Sequence, residues 1–329
     1  MDVLNEGAAV ISIIVCSYNR DRMFEETVNS FLDGRIDGID YELLLVDNNS
    51  TDKTRQMGEG FSARFHRIRY VNEPIQGLSR ARNRGIRESV GDIVVFADDD
   101  VYFSPGWLEA LVSTFERRPD VACIGGKVSP HFESDRPYWL EDELLDVYSI
   151  TQYGDQERVI HPPEYPIGCN MAFRRAVFEK VGGFPTSLGR KPGNLLSNDE
   201  IYFLLCVEKA GLKTLYLPDA QVSHRILPDR VTQQWLRRRW YWQGISDVAM
   251  WQIADNPLSK TTLAKKAIKA AFDLLRQWKD MADLLRMSGG CDGSVRIRKQ
   301  IKVCYKFGML RQIIAESLAF RTGRREPKD

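Results

Sequence analysis

The chain has 329 residues, 43% of them hydrophobic and 28% charged, with 46 basic against 45 acidic side chains and a net charge of +1. That length holds one large or two ordinary domains, and 10% aromatic residues with 14 prolines exclude a disordered polymer, because enough apolar surface is present to offset the entropy of ordering. No window reaches the ~18 uninterrupted apolar residues of a membrane span, and the first nine residues carry Asp2 and Glu6 with no basic stretch ahead of an apolar core, so neither a span nor a leader peptide is expected.

The six cysteines (Cys16, Cys123, Cys169, Cys206, Cys291 and Cys304) lie far apart with no CxxC pair, which reads as reduced core thiols of a cytoplasmic protein. The balanced charge conceals an asymmetry. Residues 258–329 hold 17 basic and 7 acidic side chains, a net +10, so residues 1–257 carry −9. Tail and body therefore present different surfaces.

Along the first hundred residues, apolar β-rich runs alternate with helical patterns, the signature of a parallel sheet with crossover helices. Residues 10–16 form an apolar run interrupted only by Ser12, as in a strand buried on both faces, and lead into Ser17-Tyr18-Asn19-Arg20 and a helix over 21–33. A second strand over 41–46 ends on the turn-forming cluster from Asp47 to Asp52. A weaker third strand covers 66–71, and Ser79 is placed to cap a short Arg-rich helix ending at Glu88. The fourth strand, 93–97, runs into Asp98-Asp99-Asp100. Ligands in open parallel sheets bind outside the strand carboxyl ends, so this edge is the expected site.

Further on, a helix is expected to about residue 117, a strand over 121–128 and an irregular stretch over 129–166. A strand over 165–173, a helix over 174–181, a helix over 198–210 and a short strand over 214–217 follow. From residue 232 the pattern is helical. Residues 232–254 set Trp235, Trp240 and Trp242 among Arg237, Arg238 and Arg239, which reads as a core-facing aromatic stripe with a charged outer face, or as rings that stack on sugars or sit at a membrane interface. The tail pairs Lys265, Lys266, Lys269, Arg276 and Lys279 with Leu263, Ile268, Phe272, Leu275 and Trp278. That makeup suits either a helix lying on an anionic membrane or a cap on the acidic body.

Three adjacent carboxylates repel one another unless a cation or hydrogen-bond donors offset their charge. Asp98, Asp99 and Asp100 are thus either a place for a divalent ion, with substrate phosphates and water completing its shell, or a solvated acidic turn. On the preceding helix Arg80 and Arg84 share a face and Arg82 points elsewhere, and at least one of them is expected to balance the acidic clusters.

Five strings then occur in order: ISIIVCSYNR at 11–20, LVDNNSTDKT at 45–54, GLSRARNRGI at 77–86, IVVFADDDVYFSPGWL at 93–108 and GCNMAFRRAVFEKVGGF at 168–184. Together they resemble family 2 glycosyltransferases over about residues 8–226. The resemblance implies a GT-A fold: an α/β, Rossmann-like, mostly parallel central sheet flanked by helices, here with a C-terminal helical extension. It divides the chain into a nucleotide-sugar-binding half (1–101), an acceptor-binding and catalytic half (102–228) and the basic extension (229–329).

By the same resemblance Ser17, Tyr18 and Arg20 would line the base and ribose, Asp47 would accept a hydrogen bond from the base, and Arg82 would serve the donor. Asp98 and Asp99 would lie by the ribose and diphosphate, and Gly168 and Asn170 under the donor sugar. Mn²⁺ or Mg²⁺ would be held by Asp100, with Asp98 and His224 as further candidate ligands. The acceptor hydroxyl would lose its proton to Glu200, with Asp199 as the alternative, since this chain carries the family's usual Glu-Asp pair in the opposite order. The trio and the pair must then meet at one pocket. Leu236 stands where the QxxRW signature of processive relatives requires Gln, so transfer of a single sugar is expected.

The expected activity is thus an inverting transfer from an NDP-sugar, UDP-linked in first choice, to a hydroxyl acceptor on a glycan that is lipid-linked if the tail meets a membrane. The enzyme would be cytoplasmic or peripheral on the inner membrane face. A sugar-nucleotide-binding protein without turnover stays open because of the swapped acids. A nucleotidyltransferase would want a Gly-rich loop with Lys after the first strand, and residues 16–20 contain neither. No nucleic-acid signature accompanies the basic tail, so no nucleic acid is expected as partner.

Overall fold

Ile11–Ser17 (β1), Tyr41–Asp47 (β2), Ile68–Asn72 (β3) and Ile93–Asp98 (β4) run parallel in the order β3-β2-β1-β4. The computed structural model describes residues 10–34, 36, 38–254, 259–276 and 293–322. β1 and β2 are buried along their whole length, as continuous Ile, Leu and Val runs require. Helices Asp21–Leu32 (α1), Thr54–Arg64 (α2) and Leu78–Glu88 (α3) connect these strands. In register, Ser17 lies opposite Asp47 and Cys16 opposite Asp98, so the polar residues after β1, β2 and β4 emerge along one edge of the sheet.

Beyond β4 the direction changes. Asn170–Arg174 (β8) pairs antiparallel with β4 and with Val121–Phe132 (β6). The sheet then continues through Lys213–Ile226 (β9) to Val101–Phe103 (β5), and Arg158–Ile160 (β7) pairs with β9. Helices Trp107–Arg117 (α4), Ala176–Val181 (α5) and Asp199–Lys209 (α6) complete this α/β part. Phe96, Phe173, Phe178, Phe184 and Phe203 form an aromatic core, with centroid separations from 4.6 Å between Phe184 and Phe203 to 6.2 Å between Phe96 and Phe178.

Several boundaries differ from the expected ones for identifiable reasons. β9 does not stop at 217. Pro218 and Asp219 interrupt its apolar pattern, but Ala220, Val222, His224 and Ile226 are buried at alternate positions, the period of a strand, and the ladder runs on. β8 begins only at Asn170, so residues 165–169 are not strand. α3 is capped by Gly77 (φ 143°) rather than Ser79, because the Gly77 N–H donates to Asn48 Oδ1 at 2.7 Å and fixes the chain's entry two residues earlier. Within 129–166, besides the end of β6, lie a 3-10 helix at Asp142–Tyr148 and β7.

The chain divides into two units. The first comprises residues 1–131, 148–185 and 203–225 and contains the sheet; the second comprises 132–147, 186–202 and 226–329. α6 starts in the second, at Asp199–Tyr202, and ends in the first. The second unit is built on Gln233–Ile253 (α7), Lys260–Arg276 (α8) and Gly293–Thr322 (α9), with a core of Val248, Leu263, Met309 and Ile313. α7 and α9 cross at reciprocal glycines: a Cβ on Gly244 would collide with the Tyr305 carbonyl oxygen, and one on Gly308 with that of Tyr241. The buried side of α7 is Leu236, Arg239, Gly244, Ile245, Ser246 and Val248. Aliphatic side chains, an Arg and two small residues therefore occupy the face expected to be aromatic, while Trp235, Trp240 and Trp242 are only half-buried.

Cys16, Cys123 and Cys169 are buried free thiols, and burial pushes those of Cys123 and Cys169 up, which keeps them protonated. Cys291, Trp278 and Lys279 lie outside the described residues. Among the described residues, no helix is long and apolar enough to cross a membrane.

Candidate active site

The apolar strand β4 delivers the three aspartates to the carboxyl edge, and they part company there. The Asp98 side chain is 34% exposed, while Asp99 and Asp100 are buried. Asp99 accepts from Ser17 Oγ at 2.6 Å and from Arg20 Nη1 at 2.9 Å. Asp100 Oδ2 accepts from the same Arg20 nitrogen at 2.6 Å. Burial pushes the Asp99 carboxyl up to about 6, with Arg20 opposing that shift and Asp100 adding to it. Asp99 in turn holds the Arg20 guanidinium above its ordinary value, against the effect of burial and with help from Asp100. Ser17 and Arg20 thus serve the buried acids, while Tyr18 is half-buried on the same loop.

Asp100 Oδ1 lies 3.3 Å from His224 Nε2. β9 brings His224 there by pairing it with Val101. His224 Nδ1 is 2.7 Å from the Tyr148 carbonyl oxygen, an acceptor, so Nδ1 carries a ring proton and Nε2 faces the carboxylate. A proton on Nε2 or a cation between the two groups would satisfy such a contact. Backbone-held imidazoles are also how metal-ligating histidines are oriented. Among the described residues no group of three His, Cys, Asp or Glu side chains is gathered as a ready ligand set. This pair thus offers at most one carboxylate oxygen and one imidazole nitrogen, which suits an ion whose shell is completed by phosphate oxygens and water.

On helix α3, Arg82 faces Asp98. It is 3% exposed; its Nη2 lies 3.6 Å from Asp98 Oδ1, it donates to the Gly168 carbonyl at 3.4 Å, and its guanidinium stacks over Phe184. A Cβ on Gly168 would sit 2.6 Å from that nitrogen, so the glycine leaves the room Arg82 occupies. Asp47 accepts from the Ser50 N–H and from the Tyr70 hydroxyl, each at 2.9 Å, and thereby orders the turn after β2. Asn170 is buried, and its amide is taken up by the Lys127 and Ala220 carbonyls and by Trp107 Nε1 at 2.8–3.0 Å. Through these bonds it ties β8 to β6, β9 and α4.

In the second unit, Asp199 and Glu200 open α6. Asp199 is 1% exposed and Glu200 is half-buried. The preceding Asn198 has a positive φ of 72° and is held by Asp247 at 2.8 Å and by Gln243 at 3.0 Å. Arg239 donates to Ser197 Oγ at 3.3 Å. Burial holds its guanidinium below the ordinary value, opposed by the charges of Glu200, Asp247 and Asp146.

Among the participants that sequence reasoning missed are Tyr148, Tyr70, Arg225 and Arg239. Tyr148 acts through its backbone carbonyl, for which no residue-type signal exists. Tyr70 sits on the weakly patterned β3. Arg225, whose N–H donates to the Asp100 carbonyl at 2.8 Å, lay beyond the expected end of β9, and Arg239 was grouped with a charged outer face. Its position three residues after Leu236, on one helical face, was the available sign of burial.

A parallel half-sheet with an acidic turn at its carboxyl edge, continued by antiparallel strands, is the GT-A architecture of glycosyltransferases. A mannosyltransferase from Pyrobaculum calidifontis, solved with GDP-Man and Mn²⁺, superposes with a TM-score of 0.54 at 18% identity, covering 97% of this chain and 76% of that one. The chain belongs to glycosyl transferase family 2, whose model matches residues 12–182, more than half of the protein. It is 30% identical over 243 residues to the glucosyl-dolichyl phosphate glucuronosyltransferase of Haloferax volcanii, spanning 73% of this chain and 77% of the relative. It is also 27% identical over 237 residues to the succinoglycan biosynthesis protein ExoM of Rhizobium meliloti, spanning 71% and 72%.

Proposed function

We propose that this family 2 glycosyltransferase is inverting and metal-dependent, and moves one sugar from an NDP-sugar, UDP-linked in first choice, to a hydroxyl of a glycan acceptor. The observation that carries the proposal is the Asp100–His224 pair, a buried carboxylate oxygen and an imidazole nitrogen 3.3 Å apart. Asp100 and His224 would hold Mn²⁺ or Mg²⁺, with the partly exposed Asp98 at the same turn. A divalent cation there supplies neutralisation of the charge that grows on a departing diphosphate. The solved mannosyltransferase with GDP-Man and Mn²⁺, and GalNAc-T7 solved with UDP, GalNAc and Mn²⁺ (TM-score 0.52, 15% identity, covering 74% of this chain and 52% of that one), agree with such a donor and ion.

Within this scheme Arg20 and Ser17 keep the aspartate turn in place, and Arg82 sets Asp98. Tyr18 and Asp47 are assigned to the nucleoside. Residues 1–101 are the donor half and 102–228 the acceptor half. The acceptor oxygen bonds to the anomeric carbon as the bond to the diphosphate breaks, the electron pair leaves with the diphosphate, and the proton passes to Glu200. Glu200 is preferred to Asp199 because it is half-buried where Asp199 is 1% exposed, and a base must reach a diffusible hydroxyl.

The test is donor hydrolysis across UDP-, GDP- and dTDP-sugars, with and without Mn²⁺, alongside nucleotide binding. One nucleotide class should be hydrolysed only with the metal. Nucleotide binding without hydrolysis or transfer to any acceptor would instead identify a binding protein, and metal-independent turnover would remove the cation from the scheme.

A further inference from the structure

α8 is amphipathic in three strips rather than two. One strip, Leu263, Ala267, Ala270 and Leu274, turns inward, with Leu263 and Ala267 in the core shared with α7 and α9. A second carries large, mostly exposed apolar side chains: Ile268 is 70% exposed, Phe272, with the Arg276 guanidinium over its ring, 57%, and Leu275 72%. These lie at i, i+4 and i+7, one face of a helix. The third, Lys265, Lys269 and Arg276, is exposed and runs along one edge of the apolar stripe at i, i+4 and i+11. Asp273, the sole acidic residue of the helix, is half-buried on another side and paired with Lys306 at 3.1 Å. Lys266 is likewise turned away, packed 4.2 Å over the Trp251 ring.

We infer that this exposed face of α8 docks the protein on an anionic lipid bilayer. The apolar stripe suits the boundary between headgroups and acyl chains, and the basic row suits anionic headgroups beside it, each on an edge from which a long cationic side chain can reach the surface. A second copy of the chain is a poorer occupant, because pairing two such faces sets like-charged rows against each other and three side chains are far short of the roughly 800 Å² per partner of a stable interface. A nucleic acid would use the cations and leave the stripe in water. The inference rests on the glycosyltransferase reading only for its purpose, which is to bring the enzyme to an acceptor carried on a lipid; the docking itself requires no turnover.

The experiment is co-sedimentation of the full chain with vesicles of phosphatidylcholine alone and of phosphatidylcholine mixed with phosphatidylglycerol, run beside donor hydrolysis in solution. The protein should pellet with the mixed vesicles only, and less so as salt rises. Lys265→Gln, Lys269→Gln and Arg276→Gln combined should weaken binding by about 100-fold, roughly fivefold for each charge. Ile268→Ser with Leu275→Ser should weaken it by about tenfold or more. All five positions are exposed, so thermal melting and hydrolysis in solution should stay as in the wild type. No binding to anionic vesicles at low salt, equal binding by the variants, or loss of a dimer in the Ser variant by analytical ultracentrifugation would each overturn the inference. Vesicle binding without hydrolysis of any donor would sink the catalytic reading and leave this one standing.

Discussion

The two ends of β1, β2 and β4 each bury acidic side chains, and they do so with opposite electrostatics. At the amino end, Glu42 accepts from Ser12 Oγ at 2.6 Å, from the Val90 N–H at 2.7 Å and from Arg69 at 2.8 Å. Burial alone would raise its carboxyl, but those donors outweigh burial and hold it below its ordinary value of 4.5. At the carboxyl end, Asp99 and Asp100 share one Arg20 nitrogen, and burial pushes Asp99 up to about 6. One sheet thus has a structural acid held below its ordinary value at one end and a crowded pair of buried acids, one of them pushed up, at the other. Crowding of that kind persists where a ligand is meant to relieve it.

Substitution of the acids assigned to the reaction should have the largest effects. Asp100→Ala is expected to lower metal-dependent turnover by about 10³-fold or more while leaving the fold intact, read by steady-state hydrolysis and by the loss of Mn²⁺ dependence in nucleotide binding. Glu200→Gln should lower transfer by about 10²- to 10⁴-fold with nucleotide binding unchanged, the ordinary range for removing a general base. If Asp199→Asn shows that loss and Glu200→Gln does not, the two roles exchange.

The amino end should answer in stability and not in rate. Glu42→Gln is expected to cost about 1–3 kcal/mol in denaturant unfolding, because buried donors lose a charged acceptor, with kcat unchanged. The sign of the pH effect follows from the lowered carboxyl. The stabilisation is full above the ordinary value of 4.5 and is lost as pH falls through the folded value, so the variant should show a shallower acid limb of stability against pH. The smallest effect is expected from Gly168→Ala. Its Cβ would press on the movable end of Arg82 and loosen the contact with Asp98, lowering turnover a few-fold with little change in melting temperature.

Much of the architecture is legible in the chain. β1, β2 and β4 are continuous apolar runs, the polar clusters begin where those runs stop, and parallel pairing then brings Ser17, Asp47 and Asp98 to one edge because register is set by buried faces. The acids, the basic helix and the amphipathic tail are likewise local properties of residue type and spacing. Tertiary structure alone decided that β9 continues past Pro218 and places His224 beside Asp100, that the Tyr148 carbonyl orients that ring, that Arg20 turns back onto Asp99 and Asp100, and that Asn170 is a strut. Each is a contact between residues some 50 to 124 positions apart. A hydrophobic period records only which face a residue occupies, whereas the partner it meets there depends on the path of the intervening chain.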